Sequence, residues 1–479
     1  MNWVIDQKFG WSRRLGWVAL LIAAAIFLGW NIAHEKWLVL LVVGGLPFLA
    51  LWPVPLALGA FVILVPFDVV AVVGQGEGGA ALTFFAGGLA AAVLLVTGYL
   101  RRRLERPAAS ALWWSLFVAW GALSSLWAID SNLAIGALPT VLGTLFLYLV
   151  ASSVRISSEE FDWVVLAIVV GGCAAAAYSV SQHSSGIFYR ASMEGRSSLI
   201  MGGKQTDPNV FAASLFLPLS LAVGSFLESR GWHRILYVAM GGLIAVAVVL
   251  TMSRGAMLGL AVMTFVYIRK LGFDRRVLIP IAIVMLAMIA LPKTFLGRLQ
   301  NAESSGGAGR IYIWEVGVAA LKHYGFFGAG LHNFGEAYMQ YVGEGSRIYS
   351  FNSADAHNDY LLIAVELGIV GIGFLGMAVT SAIRAGRRLQ DRLNQQLAHS
   401  AIPYEAAALA MLTSCFFVGM LWRKAFWLIW MMYALLMRLP QEKDKTNPSS
   451  ATRHAGTTVD ALRVPLRGFA RGDVSSKLY

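Results

Sequence analysis

This 479-residue chain has little charge. Only 13% of its residues are Asp, Glu, Lys or Arg, 58% are hydrophobic, and mean hydropathy is +0.65. That balance excludes a soluble globular domain. Cysteine is nearly missing: Cys173 and Cys415 each lie inside an apolar block, so neither a disulfide framework nor a CxxC metal site is available. No HExxH zinc helix, GxSxG elbow, P-loop or DxD-like acidic pair occurs, so metal-independent chemistry without a cofactor is expected. The apolar blocks do not alternate with period two, which excludes a transmembrane β-barrel. The opening MNWVIDQKFGWSRR runs into an apolar stretch without a small-residue cleavage site, and reads as the lead into a first transmembrane helix. No internal repeat stands out.

What is present is a series of long apolar runs, near 15–33, 37–52, 55–74, 80–100, 110–128, 132–154, 162–183, 208–227, 235–252, 255–269, 275–292, 358–383, 404–422 and 425–438. Each approaches the roughly 20 residues that a helix needs to cross about 30 Å of hydrocarbon. The fold class is therefore an all-α, polytopic integral membrane bundle of about 12–14 transmembrane helices. The formal net charge of +12 is a topology signal before it is a sign of nucleic-acid binding. With the N-terminus cytoplasmic, the inner loops carry Arg101, Arg102, Arg103 and Arg106, then Arg155, Arg230 and Arg234, Arg269 and Lys270, Arg384, Arg387 and Arg388, and the basic end after Arg438. Arg423 and Lys424 are the exception, and the C-terminus is also cytoplasmic. Asp68, in the third run, stands out as an intramembrane acid.

Three sequence regions follow: residues 1–234, transmembrane helices with an outer loop at 184–207; residues 235–440, a membrane domain with a long periplasmic loop at 293–357; and residues 441–479, a polar tail without a periodic apolar face, expected to be disordered. Within the long loop, Ile311, Trp314, Val318 and Leu321 recur at spacings of three and four. They predict an amphipathic helix lying on or near the membrane surface, ended by Gly325, Gly328 and Gly330.

Polar side chains that bear on chemistry crowd into this outer stretch. Arg254 stands at a break between two apolar spans, where a charge must snorkel, pair or face water. It is either a snorkelling interfacial arginine or one fork of an anion site, and Arg310 at the start of the loop helix would be a second cation beside a positive helix end. His357 precedes a transmembrane helix in DAHNDYLL, where it is an interfacial cap or a general base; His332 in GLHNF is the rival base. Asp355 would cap that helix or orient the imidazole, with capping the simpler role. Glu315 fits a solvated face as well as a ligand.

In their order, TMSRGA, GRIYIWEVGVAALKHYGFFGAGLHNF and HNDYLLIAVELGIVG resemble the O-antigen ligase and polymerase superfamily over roughly Ile235 to Leu375, with a weaker likeness in RSSLIMGGKQTDPNVFA. The resemblance implies a glycosyltransferase of the bacterial inner membrane, active at the periplasmic face in lipopolysaccharide or exopolysaccharide synthesis. Its donor would be a glycan on undecaprenyl pyrophosphate, and its acceptor lipid A core or a lipid-linked glycan. By the family's pattern Arg254 and Arg310 bind the pyrophosphate, with Arg196 as a third cation, and His357 takes the acceptor proton; Asn358, Asp355 and His332 are supporting candidates. Asp207 and Pro208 depart from the Asn or His before Pro of many members, which leaves that turn's role open. A repeat-unit polymerase is the alternative within the class, and a small-solute transporter the alternative outside it.

Overall fold

The computed structural model describes residues 53–70, 72–73, 80–188, 195–273, 282, 309–345, 354–392 and 400–439. The predicted spans at 15–33, 37–52 and 275–292 and the tail 441–479 lie outside the described residues, as do 293–308 and 346–353 of the long loop. Among the described residues the chain is almost entirely helical. In chain order the helices are α1 (Val54–Leu64), α2 (Leu82–Leu100), α3 (Ser110–Leu123), α4 (Ser131–Ser153), α5 (Ser158–Ser184), α6 (Pro208–Ser214) and α7 (Phe216–Glu228). There follow α8 (Trp232–Leu250), α9 (Arg254–Leu271), α10 (Arg310–Tyr324), α11 (Phe334–Tyr341), α12 (Asp359–Arg392), α13 (Ile402–Ser414) and α14 (Lys424–Leu436). Two two-residue hairpins, β1 (Val72–Val73) with β2 (Ala80–Ala81) and β3 (Ile200–Met201) with β4 (Lys204–Gln205), are the only sheets described.

Among the described residues six segments are long and apolar enough to cross a membrane: α2, α4, α5, α8, the α6–α7 run Pro208–Glu228, and Asp359–Gln390 of α12. This is a multi-span all-α membrane protein. Association of such helices depends on close van der Waals packing, because lipid tails are as apolar as leucine. Small residues accordingly sit at the crossings: a methyl added at Gly172 of α5 would lie 2.3 Å from Pro218 of α7, and one at Gly259 of α9 would lie 2.5 Å from Phe216. At the centre, fully buried Trp114 meets the rings of Phe117, Tyr148, Phe426, Trp427 and Trp430, tying α3 to α4 and α14. The sequence boundary at 234/235 is not a seam in this packing, since α8 lies against α5 and α7 and the chain to Leu439 forms one unit.

Several of the basic residues assigned to inner loops are held in ion pairs. Glu105 accepts Arg155 (2.6 Å) and Arg438 (2.8 Å), Glu160 pairs with Arg103 (2.9 Å), and Glu405 with Arg387 (2.6 Å) and Lys270 (3.4 Å). The rings of Phe161, Tyr404 and Tyr433 bridge these clusters. The exception at Lys424 has a local cause: its ammonium lies 2.7 Å from Asp68, which Thr83 also approaches as a donor, so the charge is cancelled within the fold. Asp68 is also not alone as an acid within the apolar runs. Asp359, Glu366 and Glu405 are more deeply buried, at 3%, 2% and 3% exposure.

Two further expectations need correction. The run 404–422 is not one helix: α13 ends at Ser414, and residues 415–423 form an irregular connector to α14. Hydropathy could not show this, because the connector is as apolar as a helix and its backbone is held by a side chain from elsewhere. The run at 358–383 is likewise broken inside α12, where Gly368 has φ +66° and ψ −167°.

Candidate functional site

The site is built where α9 and α12 begin. Before α9 the chain turns at Met252 (φ +50°), and Ser253 caps the helix by accepting from the Ala256 amide at 3.3 Å. Arg254 is thereby the first helical residue, and it is exposed. Arg196, by contrast, is buried and tied down: its Nε donates to Thr251 O at 2.9 Å and its Nη2 to Asn209 Oδ1 at 3.0 Å. Those acceptors are neutral oxygens that orient the guanidinium. Asn209 is set in turn by Asp207, whose Oδ1 accepts from the Asn209 amide (2.7 Å) and side chain (2.9 Å) while capping α6. The Asp207–Pro208 turn thus supports Arg196 from two steps away.

Ahead of α12, His357 adopts φ +47°, and its amide donates to Asp355 Oδ1 at 3.3 Å. The capping expectation for Asp355 is corrected here: Asn358 is the cap, accepting from the Tyr360 (3.0 Å) and Leu361 (3.2 Å) amides. Asp355 instead closes the turn around the histidine backbone. Next in the chain, buried Asp359 accepts from the Met420 (2.7 Å) and Leu421 (3.0 Å) amides with one carboxylate oxygen, and its own amide donates to Cys415 O at 2.8 Å. The same 415–423 connector packs against the start of α9, where a Cβ on Gly255 would lie 3.0 Å from Phe417 Cβ and Ser414 Oγ donates to Gly255 O at 3.3 Å. One connector therefore carries the starts of both helices, and with them Arg254 and His357.

Arg310 arrives on α10, which begins after Gly309 (φ +82°). One turn further on, Trp314 donates its indole N–H to Ala356 O, 2.9 Å away, immediately before His357. The helix has two apolar faces. Ile311 and Val318, from the stripe read in the sequence, are about half exposed, while Ile313, Val316, Gly317 and Ala320 are buried against α11 and α12. Small side chains on that second face let Leu361 approach Gly317 closely.

His332 sits on the strap after α10, Gly325–Asn333, at φ +59°. The strap is laced on both sides. Ala329 and Gly330 amides donate to Val365 O (2.8 Å) and Glu366 O (2.9 Å), the Ile369 amide donates to Gly325 O (2.9 Å), and the Phe334 amide donates to Glu366 Oε1 (3.2 Å). On the far side Asn333 exchanges hydrogen bonds with the Asp130 backbone (2.6 and 3.0 Å), and the Leu331 amide donates to Ser124 Oγ (2.9 Å). Gly328 and Gly368 cross so closely that a Cβ on either would lie 2.1 Å from a carbonyl oxygen of the other segment. Solvent still reaches His332, but partial loss of hydration pushes its pKa below the usual 6.5, while the Asp355 carboxylate pulls the other way. The imidazole is therefore largely neutral at pH 7, the form that accepts a proton.

Non-glycine residues with positive φ cost of order 1–3 kcal/mol each and concentrate at functional sites. Among the described residues there are four, Arg102, Met252, His332 and His357, and three of them hold this site. Of the residues to which the sequence reading gave no site role, Asp359, Glu366, Asn333 and Trp314 position the others. Asp359 and Glu366 carried a signal: two acids seven apart in an apolar run share a helix face and require partners. The connector carried none, since its contribution is made by backbone amides.

No curated protein matches the chain. Residues 239–376 match the family model described as O-antigen ligase, a stretch that contains Arg254, Arg310, His332 and His357 but not Arg196. The match bears out, for that segment, the resemblance to the O-antigen ligase and polymerase superfamily.

Proposed function

We propose that the protein transfers a glycan from undecaprenyl pyrophosphate to an acceptor hydroxyl at the periplasmic face of the bacterial inner membrane, as an O-antigen ligase. The observation that carries this reading is the shared 415–423 connector, which holds the starts of α9 and α12 together, with Trp314 bonding α10 to the backbone beside His357. In the reaction the acceptor oxygen attacks the anomeric carbon, and its proton passes to the His357 imidazole. The bond from that carbon to the pyrophosphate oxygen breaks, and the electron pair leaves with undecaprenyl pyrophosphate. Arg254, Arg310 and Arg196 meet the negative charge that develops there; guanidinium forks match phosphate oxygens, and preorganised cations lower the barrier where charge accumulates. General base help of this kind contributes roughly 10²- to 10⁴-fold.

Purified protein supplied with a lipid-linked glycan and acceptor tests the assignment. Arg254→Ala, Arg310→Ala and His357→Ala should each abolish transfer while membrane insertion is kept, and transfer should persist in EDTA. Wild-type rates from His357→Ala would remove the base. A polymerase shares donor and site and differs in acceptor. Glycan profiles of a deletion strain separate the two: lipid A core without long chains beside intact carrier-linked polymer indicates a ligase, and single repeats indicate a polymerase.

A further inference from the structure

A groove of about 470 Å³ lies between α9, α12 and α13. Its wall is apolar along most of its length, with Val262, Phe265, Leu409, Leu412 and Phe416, and Phe265 and Phe416 are 64% and 50% exposed. Tyr360, its ring 4.3 Å from that of Phe416 and its hydroxyl donating to Leu412 O at 2.8 Å, closes one end. The other end is charged: Arg269, Lys270 and Arg387 line it with a single carboxylate, Glu405. From Glu405 to Thr413 the groove follows α13 for about 12 Å, taking 1.5 Å of rise per residue.

The charge is unbalanced by design of the packing. Glu405 accepts both Arg387 (2.6 Å) and Lys270 (3.4 Å), which satisfies its oxygens and leaves Arg269 without a carboxylate among the described lining residues. Three cations on one anion at the mouth of an apolar, lipid-facing channel complement a phosphate headgroup with a fatty acyl chain attached. A polyprenyl tail would use the apolar wall but has no group for the cations. Basic pockets between transmembrane helices hold anionic phospholipid headgroups by this combination.

We propose that this groove is a binding site for an anionic glycerophospholipid of the leaflet at the basic end of the bundle, with the headgroup phosphate on Arg269 and Arg387 and an acyl chain along α13. The lipid would join the ends of α9 and α12 opposite to those that carry Arg254 and His357. The site does not depend on the glycan-transfer reading.

Native mass spectrometry of the full-length, delipidated protein tests it, with dioleoylphosphatidylglycerol and dioleoylphosphatidylethanolamine as probes. At about 1 kcal/mol per basic residue, phosphatidylglycerol should be preferred roughly tenfold or more, and Arg269→Gln should reduce that preference about fivefold. Arg269→Lys should restore it, and unchanged thermal melting of Arg269→Gln in detergent would show that the loss is local. Equal binding of the two lipids, or an unaltered preference in Arg269→Gln, overturns the proposal. So does displacement of phosphatidylglycerol by a neutral long-chain polyprenol of equal affinity, which would give the groove to a carrier lipid.

Discussion

The two ends of the bundle use most of their carboxylates in opposite ways, the Asp68–Lys424 pair beside the connector being the exception. At the basic end Glu105, Glu160 and Glu405 are paired with arginine or lysine side chains. Around the histidines, Asp130, Asp207, Asp355, Asp359 and Glu366 accept instead from backbone amides. An acid bound to amides shapes a turn and leaves nearby cations their charge; an acid bound to an arginine cancels it. One end is thus neutralised as it is braced, and the other is braced while Arg254 stays exposed and without an ion pair among the described residues. A site for a pyrophosphate needs the second arrangement.

The largest effect should come from imposing the first arrangement on the second. Leu258 is exposed on α9, four residues after Arg254, so Leu258→Glu offers Arg254 an i,i+4 partner. Transfer should fall at least about tenfold while Leu258→Gln stays near wild type, since bidentate phosphate recognition requires an unoccupied guanidinium. Next comes the brace itself. Asp359→Ala leaves two buried amides without an acceptor, at about 1–3 kcal/mol each, and should lower the melting temperature in detergent clearly more than Asp359→Asn, which keeps one oxygen.

A smaller effect is set by pH. Because the folded-state pKa of His332 is depressed, its contribution to stability is full above the unfolded value near 6.5 and is lost as pH falls from there toward the folded value. Melting temperature should therefore drop on acidification below about pH 6.5 more in wild type than in His332→Gln. Asp355→Asn, which removes the group favouring the imidazolium, should carry that loss to still lower pH. The smallest effect belongs to the basic end, where Arg155→Gln breaks a half-exposed pair and should change stability by no more than about 1 kcal/mol, with transfer untouched.

These contrasts mark what could be read from the sequence. Spans were legible because apolar length is a property of the residues themselves: the run 132–154 became Ser131–Ser153, and 162–183 became Ser158–Ser184. The connector at 415–423 was not, because an apolar irregular segment and an apolar helix have the same composition, and its amides answer to Asp359 more than fifty residues earlier. Lys424 read as an anomaly for the same reason, its partner Asp68 lying in the turn beyond α1. Arg254, Arg310 and His357 could be named from the resemblance; the Asp207–Asn209 support of Arg196 required coordinates.

The crossing of Gly328 and Gly368 has a consequence for variation among such chains. It rivets the strap to α12 by backbone contact alone, at a clearance that admits no side chain. Insertions before Gly309 or after Gly345 can lengthen the chain on either side without shifting the segment that holds His332. Between Gly325 and Asn333 no such freedom exists, so the strap and its flanks are free to diverge at different rates within one continuous loop.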